Sequence, residues 1–427
     1  MGEEPGLKQE LGLLEVILCG VGSILGAGIY VLVGKAAGFS GNLVWLSFLF
    51  AGTAAGLSAL SYMELSSMYP KAGAEYEFVR KAFGESAGLL IGLLIIYAVT
   101  ITSSAVALGF GGYYNALFGG GVLKGALIVL LGLGPVMLYG VRESVRFAAL
   151  ISLIEVLGLL IIIYIGLPHL GSVNYFEPGE GGLPAVFEAS ALVFFAFLGF
   201  EDLVRLAQET KNAERTMPKA LTLVIISTVS LYICVAVAAV SVLDFRILGE
   251  SNAPLADVAA VALGADAFVL LSWIALFSTV NTVLVLMLGG SRIIYGMADS
   301  ASLPKIFARV HPGRGTPWVS IISILGLSIL FVFIRDIATV ANISNFMIFI
   351  VFFTVNLALI KLRYTAPEKM RPFRIPGNVG KFPLPPALAA LSVIFLFTRL
   401  SAGVMLYGFV LLGLSVLIVF LKTGWKK

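Results

Sequence analysis

Charged residues are scarce in this chain, and the residue types that soluble enzymes use for catalysis are thinly spread. Only 12% of the 427 residues are Asp, Glu, Lys or Arg, whereas an average soluble domain has roughly 25%. The two histidines, His169 and His311, and the two cysteines, Cys19 and Cys234, lie far apart, so the sequence predicts neither a metal cluster nor a disulfide framework. It also lacks a nucleophile elbow and a phosphate-binding loop. These absences indicate that the chain is not an enzyme and needs no cofactor.

Long apolar runs take the place of the missing charge. Hydrophobic residues make up 59% of the chain, and the mean hydropathy is +1.01. A membrane-spanning helix needs about 20 mostly apolar residues. We therefore predict an all-α membrane protein, embedded in the lipid bilayer, with twelve transmembrane helices. The predicted spans are 12–36, 41–69, 86–115, 122–141, 146–168, 184–206, 218–242, 264–298, 317–335, 338–363, 383–400 and 403–421.

The basic residues are segregated by this topology. With the N-terminus inside, nearly all of the 28 Lys and Arg residues fall at cytoplasmic ends or loops, as the positive-inside rule requires. This pattern predicts a multi-pass protein of the cytoplasmic membrane with both termini in the cytoplasm. It also means that the net charge of +4 does not indicate a nucleic-acid partner, and no obligate protein partner is evident. The five exceptions are Lys35, Lys124, Arg246, Arg335 and Arg399.

Spans 1 and 6 are each interrupted near mid-membrane, by Gly20–Gly28 and by Phe194–Asp202. In hydrocarbon every backbone polar group needs a partner, so an unwound stretch is tolerated only where it lines a cavity or a ligand. Because spans 1 and 6 run in opposite directions, the two breaks predict a 5+5 inverted repeat, followed by two extra helices. Within one transporter domain, 1–427, the divisions are 1–168, 184–363 and 383–421.

The polarity of the breaks suits an amino acid. The half-helix that starts near Gly28 presents free N–H groups and the positive end of its dipole to a carboxylate. Carbonyls freed at Ala196–Gly199 can accept from an ammonium group. For Gly22–Gly26, close helix packing through small residues is the alternative explanation. We expect Glu201 and Asp202 to stabilise the second half-helix of span 6.

The three phenylalanines of the span 6 break offer apolar bulk to a substrate. One of Phe194, Phe195 and Phe197 is expected to close over the substrate as a gate, and simple packing is the alternative for each. Elsewhere, the sequence predicts an amphipathic cytoplasmic helix within 69–84 and an external helix within 248–263. Glu64, near the inner end of span 2, is interpreted as a membrane-boundary residue.

The sequence contains several characteristic segments: Gly26–Tyr30, Tyr69–Tyr76, Phe194–Phe200, Glu209–Arg215 with Met217–Pro218, Ser291–Arg292, Leu303–Pro304 and Thr316–Trp318. These segments resemble motifs of the amino acid–polyamine–organocation (APC) permeases, in the branch similar to cationic amino acid transporters. This resemblance implies a LeuT-like fold with broken helices 1 and 6 that moves amino acids or related amines by alternating access. It further implies that Ile24, Gly26, Ala27 and Gly28 surround the substrate carboxylate. Phe195, as the gate, would face the ammonium and side chain together with Ala196 and Leu198.

Span 5 departs from the family pattern. Proton-coupled relatives carry a lysine nine residues after an arginine that corresponds to Arg146, and this chain has Glu155 there. An isolated ionised carboxylate at that depth costs several kcal/mol, so it must be protonated or paired with a cation. We expect Glu155 to bind H⁺ or Na⁺ as the coupling ion, and a structural hydrogen bond to a protonated Glu155 is the alternative. An oxygen-lined sodium site would add the hydroxyls of Ser278, Thr279 and Thr282 and a carbonyl near Gly22.

The sequence therefore predicts a secondary active transporter, most simply a cation-coupled symporter. The expected pocket walls are small or aromatic and carry no fixed charge, which favours neutral amino acids. An ion-independent amino acid exchanger is the first alternative. A non-transporting amino acid sensor of the same fold is the second.

Overall fold

The computed structural model describes residues 11–69, 74–139, 145–205 and 210–424. These residues are almost entirely helical, with one short hairpin of strands β1 (Asn378–Val379) and β2 (Phe382–Pro383). The all-α prediction missed this hairpin, which turns at Gly380 with φ +63°. The α-helices are α1 (Leu13–Leu25), α2 (Ala27–Ser40), α3 (Val44–Met68), α4 (Ala74–Phe83), α5 (Glu85–Phe118), α6 (Val122–Tyr139), α7 (Val145–Gly166), α8 (Gly182–Val193), α9 (Phe200–Arg205), α10 (Ala213–Val242), α11 (Phe245–Glu250), α12 (Pro254–Leu263), α13 (Ala265–Asp299), α14 (Trp318–Val332), α15 (Ile337–Thr365), α16 (Leu384–Phe397) and α17 (Ala402–Gly424).

Helices long and apolar enough to cross a membrane occur throughout the described ranges. Within the described ranges, eight helical segments are long and apolar enough to cross a membrane. Predicted spans 9 and 11 correspond to α14 and α16, which have 15 and 14 residues, and spans 1 and 6 are each divided into two helices. The count of twelve spans stays a prediction. The eight segments are Gly28–Met68, Glu85–Phe118, Val122–Tyr139, Ile151–His169, Arg215–Val242, Ala265–Asp299, Ile337–Thr365 and Ala402–Lys422.

Helices α5 and α15 lie at the centre of the bundle. In their most apolar windows 83% and 72% of the residues are buried, against 17% for α17, which is therefore peripheral. Buried hydroxyls join the two central helices, because Thr102 and Ser344 share a hydrogen bond of 2.6 Å. Such pairs satisfy polar groups that would otherwise be exposed to hydrocarbon.

The two predicted connecting helices are present. Helix α4 buries Phe78 and Val79 completely, while Arg80 donates to Glu77 and Glu85 on its polar side. Residues 70–73 of the predicted segment lie outside the described residues. Helices α11 and α12 occupy the segment predicted as one external helix, and α11 packs closely against α2.

Glu64, predicted to lie at the membrane boundary, belongs to a buried ion pair near the end of α3. Its side chain is fully buried and pairs with two arginines, Arg363 and Arg371. A carboxylate can be buried at this depth because cationic partners and hydrogen bonds compensate its lost hydration. Span 2 alone could not reveal these partners, since they lie about 300 residues further along the chain.

Candidate functional site

The first break is only one residue wide. Helix α1 ends at Leu25 and α2 begins at Ala27, with Gly26 between them at φ −35° and ψ −161°. A Cβ atom at Gly26 would lie 2.6 Å from Oγ1 of Thr282 on α13. Glycine is therefore needed for the close approach of α13 to the break. The predicted unwound stretch from Gly20 to Gly28 was too long.

The earlier glycines of that stretch serve helix packing instead. A Cβ atom at Gly20 would lie 2.5 Å from Leu203, and one at Gly22 would overlap the side chain of Ser152 on α7. Both glycines belong to α1. The packing alternative thus explains their presence, and a part for the Gly22 carbonyl in an ion site stays a prediction.

The second break lies where the sequence placed it. Helix α8 ends at Val193, a single 3₁₀ turn follows at Phe194–Phe197, and α9 begins at Phe200. Gly199 has φ +118°, a conformation that side chains disfavour. Its N–H donates to Oε2 of Glu201 at 2.9 Å. The stabilising role expected of Glu201 is thus confirmed, whereas the side chain of Asp202 lies outside the described part.

The two breaks contact each other directly. A Cβ atom at Gly28 would lie 2.6 Å from Cα of Ala196, and one at Gly199 would overlap the carbonyl of Ser23. Gly28 of α2 therefore lies against the main chain of the second break, and Gly199 of that break lies against the main chain near the end of α1. This contact brings the start of α2 and the end of α8 to one place, as the inverted-repeat prediction expected of a shared site.

Tyr232 on α10 connects the two breaks by one hydroxyl. Its Oη lies 2.9 Å from the carbonyl oxygen of Ile24 and 3.0 Å from that of Ala196. A tyrosine hydroxyl carries a single proton, so it can fully satisfy only one of these carbonyls at a time. The other carbonyl remains able to accept from a ligand ammonium group.

The start of α2 and the end of α8 differ in how they are capped. The N-cap residue of α2 is Gly26, which has no side chain to cap the helix, and the first N–H groups of a helix are the ones that can bind a carboxylate. The end of α8 is capped by Asn345 on α15, whose amide donates to the carbonyls of Ala191 and Leu192 at 2.7 and 3.2 Å. Oδ1 of Asn345 is buried and has no hydrogen-bond partner in the described ranges. The arrangement favours a ligand with an anionic group at α2.

Most of the predicted substrate-binding residues are gathered at this contact. Ile24, Phe195 and Ala196 are buried, and Leu198 is half-buried. The backbone of Ala27 begins α2, but its side chain lies outside the described part. The proximity of these residues is a finding, and their contact with substrate stays a prediction.

Two of the three candidate gate residues are held by aromatic packing. Phe194 makes edge contacts with Phe349 and Phe352, and Phe197 packs against Tyr232 with ring centroids 5.2 Å apart. Phe195 is the one whose ring has no such contact among the described residues. The packing alternative therefore explains Phe194 and Phe197, and Phe195 remains the predicted gate.

Glu155 lies on α7 and is 1% exposed. Neither of its carboxyl oxygens has a hydrogen-bond partner in the part of the chain that the structure describes. The side chain of Ser278 on α13 faces this carboxyl group, and its Oγ also lacks a partner of ordinary geometry there. Buried polar groups are almost always hydrogen-bonded. The buried position of Glu155 opposite Ser278 is a finding, and the binding of a proton or a small cation there stays a prediction.

The hydroxyls of the other predicted ion ligands donate to main-chain carbonyls of their own helix. Oγ1 of Thr279 donates to the carbonyls of Ala275 and Leu276, and that of Thr282 donates to the carbonyl of Ser278. Both hydroxyls thus give their protons to main-chain carbonyls. A sodium site at Glu155, Ser278 and Thr279 remains a prediction. The described residues show no group of three or more His, Cys, Asp or Glu side chains that could hold a metal.

Sequence reasoning missed Tyr232 and Asn345, although both touch the breaks. Each lies in a predicted span that contains several other polar residues. A polar residue at membrane depth is itself a functional signal, but span 7 and span 10 have no glycine interruption that would have drawn attention to them.

The protein family is identified by a match along almost the whole chain. The family described as amino acid permease matches residues 11–419. The chain belongs to the amino acid permease family. This membership confirms the resemblance to APC permeases. It also makes the protein a multi-pass membrane transporter rather than an enzyme.

Individual relatives of this permease carry different substrate names. The branched-chain amino acid permease BcaP of Bacillus subtilis (strain 168) is 28% identical over 419 residues, 93% of this chain and 89% of BcaP. The methylthioribose transporter of the same bacterium is 28% identical over 395 residues, 87% of this chain and 84% of that transporter. The vacuolar cationic amino acid transporter 4 of Arabidopsis thaliana is 28% identical over 395 residues, 85% of this chain and 64% of that transporter.

Proposed function

We propose that this permease carries neutral amino acids across the cytoplasmic membrane by alternating access, in symport with H⁺ or Na⁺. The observation that carries the proposal is the contact between the two breaks, at Gly28 and Ala196. In this contact the first turn of α2 lies beside carbonyls that compete for one tyrosine proton. An amino acid supplies the matching carboxylate and ammonium on a single carbon.

The chemistry of the surrounding side chains supports a neutral substrate. Ile24, Phe195, Ala196 and Leu198 are uncharged, so an arginine-like or glutamate-like side chain would find no opposite charge among them. The branched-chain specificity in the name of BcaP agrees with this apolar lining. The names of the methylthioribose and cationic amino acid transporters supply the competing substrates for a test.

The coupling part of the proposal rests on Glu155 and Ser278. A buried carboxyl group is stable when it binds a proton or a cation. Binding of the ion beside α1 and α7 would favour the conformation that also binds substrate, which is how an ion gradient drives accumulation. Two inverted repeats around the breaks would supply the two access states.

The substrate is tested by counterflow with purified protein in proteoliposomes. Vesicles loaded with unlabelled L-leucine should take up labelled L-leucine, and external L-leucine should compete better than L-arginine or methylthioribose. Binding of leucine without any flux would support the sensor alternative and contradict the proposal. Efficient counterflow of arginine alone would contradict the neutral substrate.

The coupling is tested with the same vesicles after removal of internal substrate. An inward pH gradient or an inward sodium gradient, imposed separately, should drive leucine above its equilibrium level in one of the two cases. Counterflow that proceeds equally well with neither gradient, and no accumulation with either, would establish the exchanger alternative instead.

A further inference from the structure

Tyr30 joins the outer half of span 1 to the helix that carries Glu155. Its side chain is completely buried, and its hydroxyl donates to the main-chain carbonyl of Glu155 at 2.6 Å. The carbonyl of Tyr30 in turn accepts from the hydroxyl of Tyr113 on α5 at 2.6 Å. Tyr30 is therefore fixed through its main chain as well as its side chain.

A glycine on helix α7 leaves the space that this hydroxyl occupies. Gly158 lies three residues after Glu155, and a Cβ atom there would overlap the hydroxyl of Tyr30. Residues three apart share one face of a helix, so the Glu155 carbonyl and the bare backbone at Gly158 form one recess. Any larger residue at 158 would push the tyrosine hydroxyl away from the carbonyl.

Tyr30 also lies close to the proposed substrate site. It is the fourth residue of α2, which begins at Ala27 and has 14 residues. The N–H groups proposed to bind the substrate carboxylate belong to the first turn of this same helix. A single half-helix thus contacts the substrate position at its start and, less than one turn later, the backbone of the ion-binding residue.

We propose that Tyr30 is a positioning residue that couples substrate binding at α2 to cation binding at Glu155. This inference rests on the proposed function above. A substrate that fixes the position of α2 also fixes, through Tyr30, the turn of α7 that bears the Glu155 carboxyl group. The effect is reciprocal, because a coupling free energy between two sites acts equally on both ligands. Removing the hydroxyl leaves the groups of each site in place and removes the link between them.

The test measures how strongly a cation tightens leucine binding. The dissociation constant of L-leucine is determined by calorimetry on detergent-purified protein, in Na⁺ against Na⁺-free buffer at one pH, and at low against high pH in Na⁺-free buffer. The larger of the two ratios is the coupling factor. We expect wild type to give about fivefold or more. In Tyr30→Phe the factor should fall close to one, while leucine affinity without cation changes little. Tyr164→Phe removes an exposed hydroxyl from the same helix as Glu155 and should keep the wild-type factor.

A second variant keeps the test conclusive if Tyr30→Phe fails to fold. Gly158→Ala keeps the hydroxyl but displaces it from the Glu155 carbonyl, and it should lower the coupling factor in the same way. If wild type couples and both variants couple equally well, the role of Tyr30 is refuted while the proposed function stands. If wild type itself shows a factor of one, the ion site at Glu155 and this inference both fail.

Discussion

The carboxylate of Glu64 lies 2.5 Å from the guanidinium of Arg363, and both side chains are almost completely buried. The second carboxylate oxygen lies 3.1 Å from Nε of Arg371, and the N–H of Ile375 donates to the first at 2.9 Å. Arg371 also donates to the carbonyl of Leu362 near the end of α15. One carboxylate therefore joins α3 to the end of α15 and to the loop that precedes the hairpin.

Replacing Glu64 by Gln should destabilise the protein strongly. The change leaves Arg363 buried without its counter-charge, and breaking one partner of a buried pair costs about 3–5 kcal/mol. Thermal unfolding of the purified protein in detergent measures the effect. Glu85→Gln is the matched control, because Glu85 pairs with Arg80 at an exposed position, and exposed pairs contribute about 0–1 kcal/mol. Similar losses in the two variants would contradict the assignment of Glu64 as a buried structural pair.

Replacing Tyr232 by Phe should weaken the contact between the breaks. The change removes the donor to Ile24 and Ala196, and an unsatisfied buried acceptor costs about 1–3 kcal/mol. We expect a lower unfolding temperature that leucine restores in part, because the ligand ammonium group supplies a new donor. Tyr164→Phe, at an exposed position, should change neither quantity. Wild-type stability in Tyr232→Phe would refute the bridge.

Replacing Gly28 by Ala should impair substrate binding. The added methyl group would lie 2.6 Å from Cα of Ala196, so one of the two breaks must move. We expect the dissociation constant for leucine to rise by about tenfold or more, which corresponds to roughly 1.4 kcal/mol. Gly289→Ala on α13 is the control, because a Cβ atom there meets nothing within 4 Å. If the two alanine variants bind leucine alike, the break contact is not the substrate site.

Replacing Ser278 by Ala should weaken cation activation without preventing leucine exchange. The loss of one hydroxyl ligand or hydrogen bond is worth about 0.5–1.5 kcal/mol, or roughly 2- to 10-fold in the half-saturating cation concentration. The cation dependence of leucine uptake in proteoliposomes measures this shift. Ser272, on the same helix, is also buried without a partner among the described residues, so Ser272→Ala is a matched control. A shift in Ser272→Ala and none in Ser278→Ala would contradict the placement of the ion.

The helices of this fold were predictable because hydropathy and length directly reflect the physics of the bilayer. The predicted span 338–363 corresponds to α15 (Ile337–Thr365), and 86–115 to α5 (Glu85–Phe118). The span 6 break was also predictable, since Gly199 and the following acids mark the start of a new helix. Local sequence was sufficient in these cases.

Local sequence was insufficient wherever the partner is distant along the chain. Gly20, Gly22 and Gly26 look alike in the sequence, but only Gly26 interrupts the helix, because Leu203 and Ser152 pack onto the other two. The same limit applies to the buried pairing of Glu64 with Arg363. Glycine permits both unwinding and close packing, and only the tertiary contacts distinguish them.

The central proposal is tested most directly by leucine accumulation in proteoliposomes that contain Glu155→Gln. Glu188→Gln, an exposed carboxylate on α8, is the control. Under the gradient that drives wild type, Glu188→Gln should accumulate leucine normally. Glu155→Gln should exchange leucine in counterflow but fail to concentrate it, because the amide cannot bind and release the coupling ion. Wild-type accumulation by Glu155→Gln under either gradient would contradict the coupling role of Glu155.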